Sequence, residues 1–144
     1  MRYTLPIEVE SLVPMLMPLD LAIFTTVEPL GFITSDKPCF WFDDQAHKRP
    51  PLYRNPALCY ESIEIIMPIS PTQVAIINRR GRSGYIPVEL NIVNAMNRLS
   101  RRAAREHFIV NQNRTEDSWF HEAPEPDDLA TQIPDPTAPG EPAG

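Results

Sequence analysis

From Glu116 to the C-terminus the chain holds eight acidic residues, six prolines and no lysine or arginine. Such a segment buries too little surface to offset the entropy of ordering it, so we predict that residues 116–144 form a disordered acidic tail. The other part, residues 1–115, has the length of a single domain and holds 13 basic and 11 acidic residues, a net charge of +2. The overall charge of −6 therefore belongs to the tail and does not indicate an anionic partner for the domain.

Two pairs of strands are predicted from β-branched and aromatic runs in the domain. Residues 19–27 and 31–42 are joined by a short turn that suits a hairpin. Residues 61–67 alternate, with Ile63, Ile65 and Met67 on one side and Glu64 on the solvated side, and they precede the apolar run 73–78. Residues 43–60, which hold three prolines and show no sustained period, are predicted to form a long surface excursion.

The strongest helical pattern covers residues 87–105, with Pro87 in the first turn and arginines crowding the C-terminal half. Its apolar stripe recurs in steps of three and four residues: Val88, Ile92, Ala95, Met96, Leu99 and Ala103. A weaker helical spacing at residues 6–17 indicates a short N-terminal helix, and residues 107–112 read as a last strand. We therefore predict an α+β fold, with a mainly antiparallel sheet of four to five strands and one long helix packed on a face.

The compartment is predicted from the cysteines and from the apolar run at residues 12–24. Cys39 and Cys59 are too few for a disulfide framework and have apolar neighbours, so we predict buried free thiols. The apolar run is interrupted by prolines and an aspartate and follows two glutamates, which argues against a secretory signal, and it is too short to span a bilayer. These features predict a cytoplasmic protein without a membrane partner.

Three short strings carry a resemblance to a known family: FITSDKP at residues 32–38, MPISP at 67–71 and ELN at 89–91. In this order they resemble the C-terminal half of the domain of unknown function 4238 family, over residues 19–112. Members of that family are about twice as long, which implies that this chain is a short version, a fragment or a chain with a wrongly assigned start. Lys37 stands where the family pattern has asparagine. The resemblance implies membership and supplies no reaction.

The same strings supply a candidate polar site at strand ends and at the start of the helix: Thr34, Ser35, Asp36, Ser70 and Asn91. Ser and Asp before a turn often bind backbone N–H groups nearby, which would make them structural caps. Alternatively, strand pairing brings the five side chains to one pocket. The first interpretation of function is a binding or interaction module for an unknown ligand or protein partner. The alternative is a hydrolase or nuclease-like enzyme centred on Asp36, with a divalent metal held by carboxylate oxygen.

Other polar residues give weaker signals for chemistry. The histidines have no neighbours at metal-ligand spacing, and the chain has no glycine-rich phosphate loop, so we predict neither a metal nor a cofactor. Asp43 and Asp44 are read as solvated loop charges. The run from Arg79 to Arg82 is read as a solvated basic turn, because the weak charge of the domain does not favour nucleic-acid binding.

Overall fold

The computed structural model of the chain describes residues 13–121. Within them a five-stranded sheet has the strand order β3-β4-β5-β1-β6, and β2 and β7 form a separate two-stranded sheet. One long helix, α1, spans Leu90–Ala103. The strands are β1 Asp20–Thr25, β2 Thr34–Ser35, β3 Phe40–Asp43, β4 Ile63–Ser70, β5 Gln73–Asn78, β6 Gly84–Pro87 and β7 Phe108–Ile109. The predicted α+β class, with a sheet of five strands and one long helix, is confirmed.

The second predicted hairpin, β4 with β5, is confirmed and forms the middle of the large sheet. The two strands pair antiparallel, with Ile65 opposite Ile77 and Ile66 opposite Ile76. A two-residue turn joins them, and a bulge between Pro68 and Ser70 shifts the register at that end. A bulge bends its strand, and here the bend lies beside the small sheet.

The first predicted hairpin is wrong, because β1 does not pair with β2 or β3, the next two strands along the chain. It lies between β5, which is antiparallel, and β6, which is parallel. Ala22 and Phe24 of β1 are fully buried, so this strand is stabilised most in the interior of the sheet. The chain instead leaves the large sheet at Thr26, and its next segment pairs with β7 in the small one.

Helix α1 packs its predicted apolar stripe on one face of the large sheet, and this layer is the main core. Ile92, Met96 and Leu99 join a buried cluster with Phe24 of β1 and Ile76 of β5. Pro87 does not occupy the first turn of the helix: it ends β6, and the helix begins at Leu90 with Glu89 in the N-cap position. Burial of each large stripe side chain stabilises this packing by about 1.5 to 3 kcal/mol.

A second, smaller core extends the folded region past the predicted boundary at residue 116. Trp119 lies in a 3-10 turn, Asp117–Trp119, and is fully buried with Leu30 and Ile33. Its Nε1–H donates to Asn94 Oδ1 of α1 over 3.0 Å. A single large aromatic side chain thus anchors residues that the composition assigned to the tail, and residues 122–144 lie outside the described part.

The cysteines, the N-terminal helix and the absence of a membrane span were also predicted from the sequence. Both cysteines are free, but they are exposed rather than buried, since each lies in a surface segment beside a strand or turn. Residues 13–16 are helical, Met17 lies in a turn, and residues 6–12 of the predicted N-terminal helix lie outside the described residues. Within residues 13–121, none of the helices is both long and apolar enough to span a bilayer.

Replacing the buried tryptophan tests the second core. We expect Trp119→Ala to lower the free energy of unfolding by about 3 to 5 kcal/mol, because it leaves a large cavity among apolar side chains. Exposed Val27→Ala is the control and should change stability by less than about 0.5 kcal/mol. Urea denaturation of the full chain measures both, and equal stabilities for the two variants would show that the 117–119 turn does not dock.

Candidate functional site

Two of the strings noted in the sequence meet at Gly31 and Pro71. The Phe32 N–H donates to the Pro71 carbonyl oxygen over 2.8 Å. Gly31 has a φ of +67°, and a Cβ there would lie 2.3 Å from the same oxygen. Only glycine tolerates both the left-handed backbone and this close approach. The segment that opens FITSDKP is therefore fixed against the end of MPISP.

Asn97 of α1 holds this same segment from the other side. Its Nδ2 donates to the Gly31 carbonyl oxygen, and its Oδ1 accepts the Ile33 N–H, each over 2.9 Å. The side chain is only 1% exposed, so water does not compete for these bonds. Asn91 is the helix residue in the predicted polar site, whereas Asn97, which makes these bonds, was not predicted. The available signal was a polar residue on the buried side of the helix, one position after Met96 and four after Val93.

Ser35 and Asp36 act as backbone caps. Ser35 Oγ accepts the Lys37 N–H over 3.1 Å and closes its own turn. The Asp36 carboxylate accepts N–H groups from Arg105 and Glu106 at 2.8 Å and from His107 at 3.3 Å, so it caps the segment that follows α1. The N–H of Arg105, followed by that of Glu106, holds the pKa of Asp36 below its ordinary value of 3.8. This exposed carboxylate is not among the residues that line the groove described next.

Thr34 and Ser70 line one apolar groove with a volume of about 310 Å³. Residues 32–34, 68–71 and 109–111 form its surface. Ile69 and Ile109, on two different sides of the groove, are 53% and 62% exposed. Thr34 and Ser70 therefore lie in the same groove.

Asn91 lies apart from this groove. It lines a shallow depression near the start of α1, together with Glu28, Glu89, Leu90 and Asn94. The five predicted site residues therefore divide into two caps, two groove residues and one residue on a separate surface.

One side of the groove contains a stretch of strand that has no partner strand on its outer edge. Strand β3 pairs with β4 only as far as Ile66, opposite Phe40. Residues 67–70 continue β4 beyond this point, and among residues 13–121 their only neighbouring strand is β5. Such an edge is a template for pairing with another extended segment.

At the opposite end of the large sheet, charged residues form buried or half-buried ion pairs. The prediction that these charges are solvated is therefore wrong. Asp43 accepts bonds from Arg49 and from Ser62 Oγ, and Asp44 is paired with Arg80. Both carboxylates are buried, because the 44–62 excursion folds back over the end of the sheet.

Glu64 and Arg82 form a further buried pair in this cluster, at 3.1 Å. Glu64 points to the helix side of the sheet, so its predicted solvated position is wrong. Removal from water raises the pKa of Glu64, although Arg80 and Arg82 act in the opposite direction. Each of these carboxylates has a basic partner in the chain, so the cluster stabilises the excursion and offers no free acid.

The part of the chain that the structure describes contains no group of three or more His, Cys, Asp or Glu residues placed to hold a metal ion. Of the buried side-chain polar atoms there, only Ser118 Oγ lacks a hydrogen-bond partner. Among the predicted site residues, Thr34 and Ser70 thus offer two hydroxyls in an apolar groove beside the open edge of β4.

The family model described as "Protein of unknown function (DUF4238)" matches residues 5–115, which is most of the chain. The protein belongs to this family. The match begins at residue 5, whereas the resemblance noted from the sequence was placed at residues 19–112. Comparisons with curated proteins and with solved structures found no significant match.

The caps at Asp36 predict a pH-dependent stability. Because its pKa is lowered in the folded state, its stabilising effect is present above the ordinary value of 3.8 and is lost as the pH falls through the lower folded pKa. We expect Asp36→Asn to lower the thermal midpoint at pH 7, and the gap to the wild type to close toward pH 3. Exposed Glu61→Gln is the control, and a gap of the same size at both pH values would contradict the assignment.

Proposed function

We propose that this chain is a binding module that accepts an extended apolar segment of a partner protein in the groove between β4 and the small sheet. The observation that carries the proposal is the coincidence of an apolar groove with the open edge of β4 at residues 67–70. An extended peptide added to such an edge gains backbone hydrogen bonds from the strand and specificity from pockets for its alternate side chains.

The dimensions and lining of the groove suit this kind of ligand. A volume of about 310 Å³ is at the small end of ligand sites, and it fits two or three apolar side chains rather than a large cofactor. Ile69 and Ile109 offer apolar contact on two sides, and the hydroxyls of Thr34 and Ser70 supply polar atoms between them. The lining has no charged residue, so the preferred segment is neutral.

Thr34 and Ser70 keep a binding role in this proposal, whereas Ser35 and Asp36 position the walls. The hydrolase alternative gains no support, because the Asp36 carboxylate already accepts three backbone N–H groups. The two exposed free thiols suit a reducing compartment, and we propose that the protein acts in the cytoplasm.

The test is selection of random nonapeptides, displayed on phage, against the full chain. We expect enriched sequences with apolar residues at alternate positions. A synthetic peptide of this kind should bind Ile109→Lys at least about tenfold more weakly than the wild type, because the lysine places a charge in the apolar wall. Fluorescence anisotropy of the labelled peptide measures the affinity.

Leu52→Lys is the matched control, because Leu52 is an exposed apolar residue in the 44–62 excursion, outside the groove. It should bind the peptide as the wild type does. The peptide should also lose affinity when alternate backbone N–H groups are methylated, since those groups pair with β4. Failure to enrich any sequence, or equal affinities for the two lysine variants, would contradict the proposal.

A further inference from the structure

The face of the large sheet opposite α1 is also apolar. Because side chains alternate along a strand, the neighbours of the core residues point away from the helix. Two adjacent rows cross the strands on this side, and we call their eight residues the outer strip. The first row is Trp41, Ile65, Ile77 and Leu21, and the second is Met67, Ala75, Ile23 and Tyr85.

Six of the eight outer-strip residues are exposed or half-buried, whereas Ile65 and Ala75 in the middle of the strip are 8% and 6% exposed. Leu21 is 51%, Trp41 44%, Met67 43% and Tyr85 74% exposed. Together these four side chains leave on the order of 500 Å² accessible, the size of the largest apolar patches on protein surfaces, which are often functional. The half-buried Ile23 and Ile77 and the residues around the strip add to this accessible area. A standard interface buries roughly 800 Å² on each partner.

The chemistry of the strip selects its occupant. None of its eight residues is charged, which disfavours nucleic acid, an anionic lipid surface and the acidic residues 122–144. The helical residues 13–16 are joined to β1 by residues 17–19, yet Val13 and Met15 are 45% and 42% exposed rather than buried. A second copy of the chain offers an identical neutral, apolar sheet face.

We propose that two copies of this chain pair through their outer strips, face to face about a two-fold axis. Packed sheets align their strands within about 30°, and a two-fold interface brings the same patch of both copies together. Trp41 lies at the β3 edge and Tyr85 on β6, so aromatic side chains mark two edges of the contact. Aromatic residues of this kind supply much of the affinity in protein interfaces.

Sedimentation velocity of the full chain across concentrations tests this pairing. We expect a dimer at tens of micromolar, with the dissociation constant raised at least about tenfold by Leu21→Lys and by Tyr85→Lys. The matched controls are Leu52→Lys and Tyr53→Lys, which place the same charge on exposed residues outside the strip. Circular dichroism and thermal midpoints verify that each variant is folded, and the two strip variants test the face independently.

Two results overturn the proposal. One is a monomer at every concentration, in which case residues 1–12 or a different protein cover the strip. The other is a dimer that the strip variants leave intact or that the control variants weaken equally, which places the contact elsewhere. Peptide binding in the β4 groove is measured separately with Ile109→Lys, so failure of one proposal is distinguishable from failure of the other.

Discussion

The buried amide of Asn97 is the interaction on which the arrangement of the two sheets and the helix depends. It satisfies the Gly31 carbonyl and the Ile33 N–H together, in a place that water does not reach. Pro71 holds the adjacent Phe32 N–H from the large sheet. One segment of three residues is thus held by α1 on one side and by the β4–β5 turn on the other, and the small sheet takes its position from that segment.

The proposed function follows from this arrangement. Thr34 follows the held segment directly, and Ser70 precedes Pro71, so the same bonds set the separation of two sides of the groove. Asp36 then fixes the chain after α1, which leads into β7 and the third side. The polar residues of the family strings therefore act mainly on backbone groups, and the surface left for a partner is apolar.

The sequence predicted the α+β class, the β4–β5 hairpin and the stripe of α1, because each is a local pattern of apolar residues. It did not predict that β1 pairs with β5 and β6, since that depends on which strand is buried most. The burial of Trp119 and of Glu64 was not predicted for a related reason. Each has a polar partner distant in sequence, Asn94 for Trp119 and Arg82 for Glu64, which composition and alternation do not reveal. Thr34 and Ser70 line one groove, whereas Asn97, which no local pattern singled out, makes the buried hydrogen bonds to the 31–33 segment.

The stability of Asn97→Leu tests the central role of this amide most directly. Leucine has a similar size, so the replacement keeps the packing and removes only the hydrogen bonds. The account predicts a loss of about 3 kcal/mol in the free energy of unfolding, because the Gly31 carbonyl and the Ile33 N–H remain buried without partners. Unchanged or higher stability in urea denaturation would contradict it, since Asn97 would then do no more than fill space.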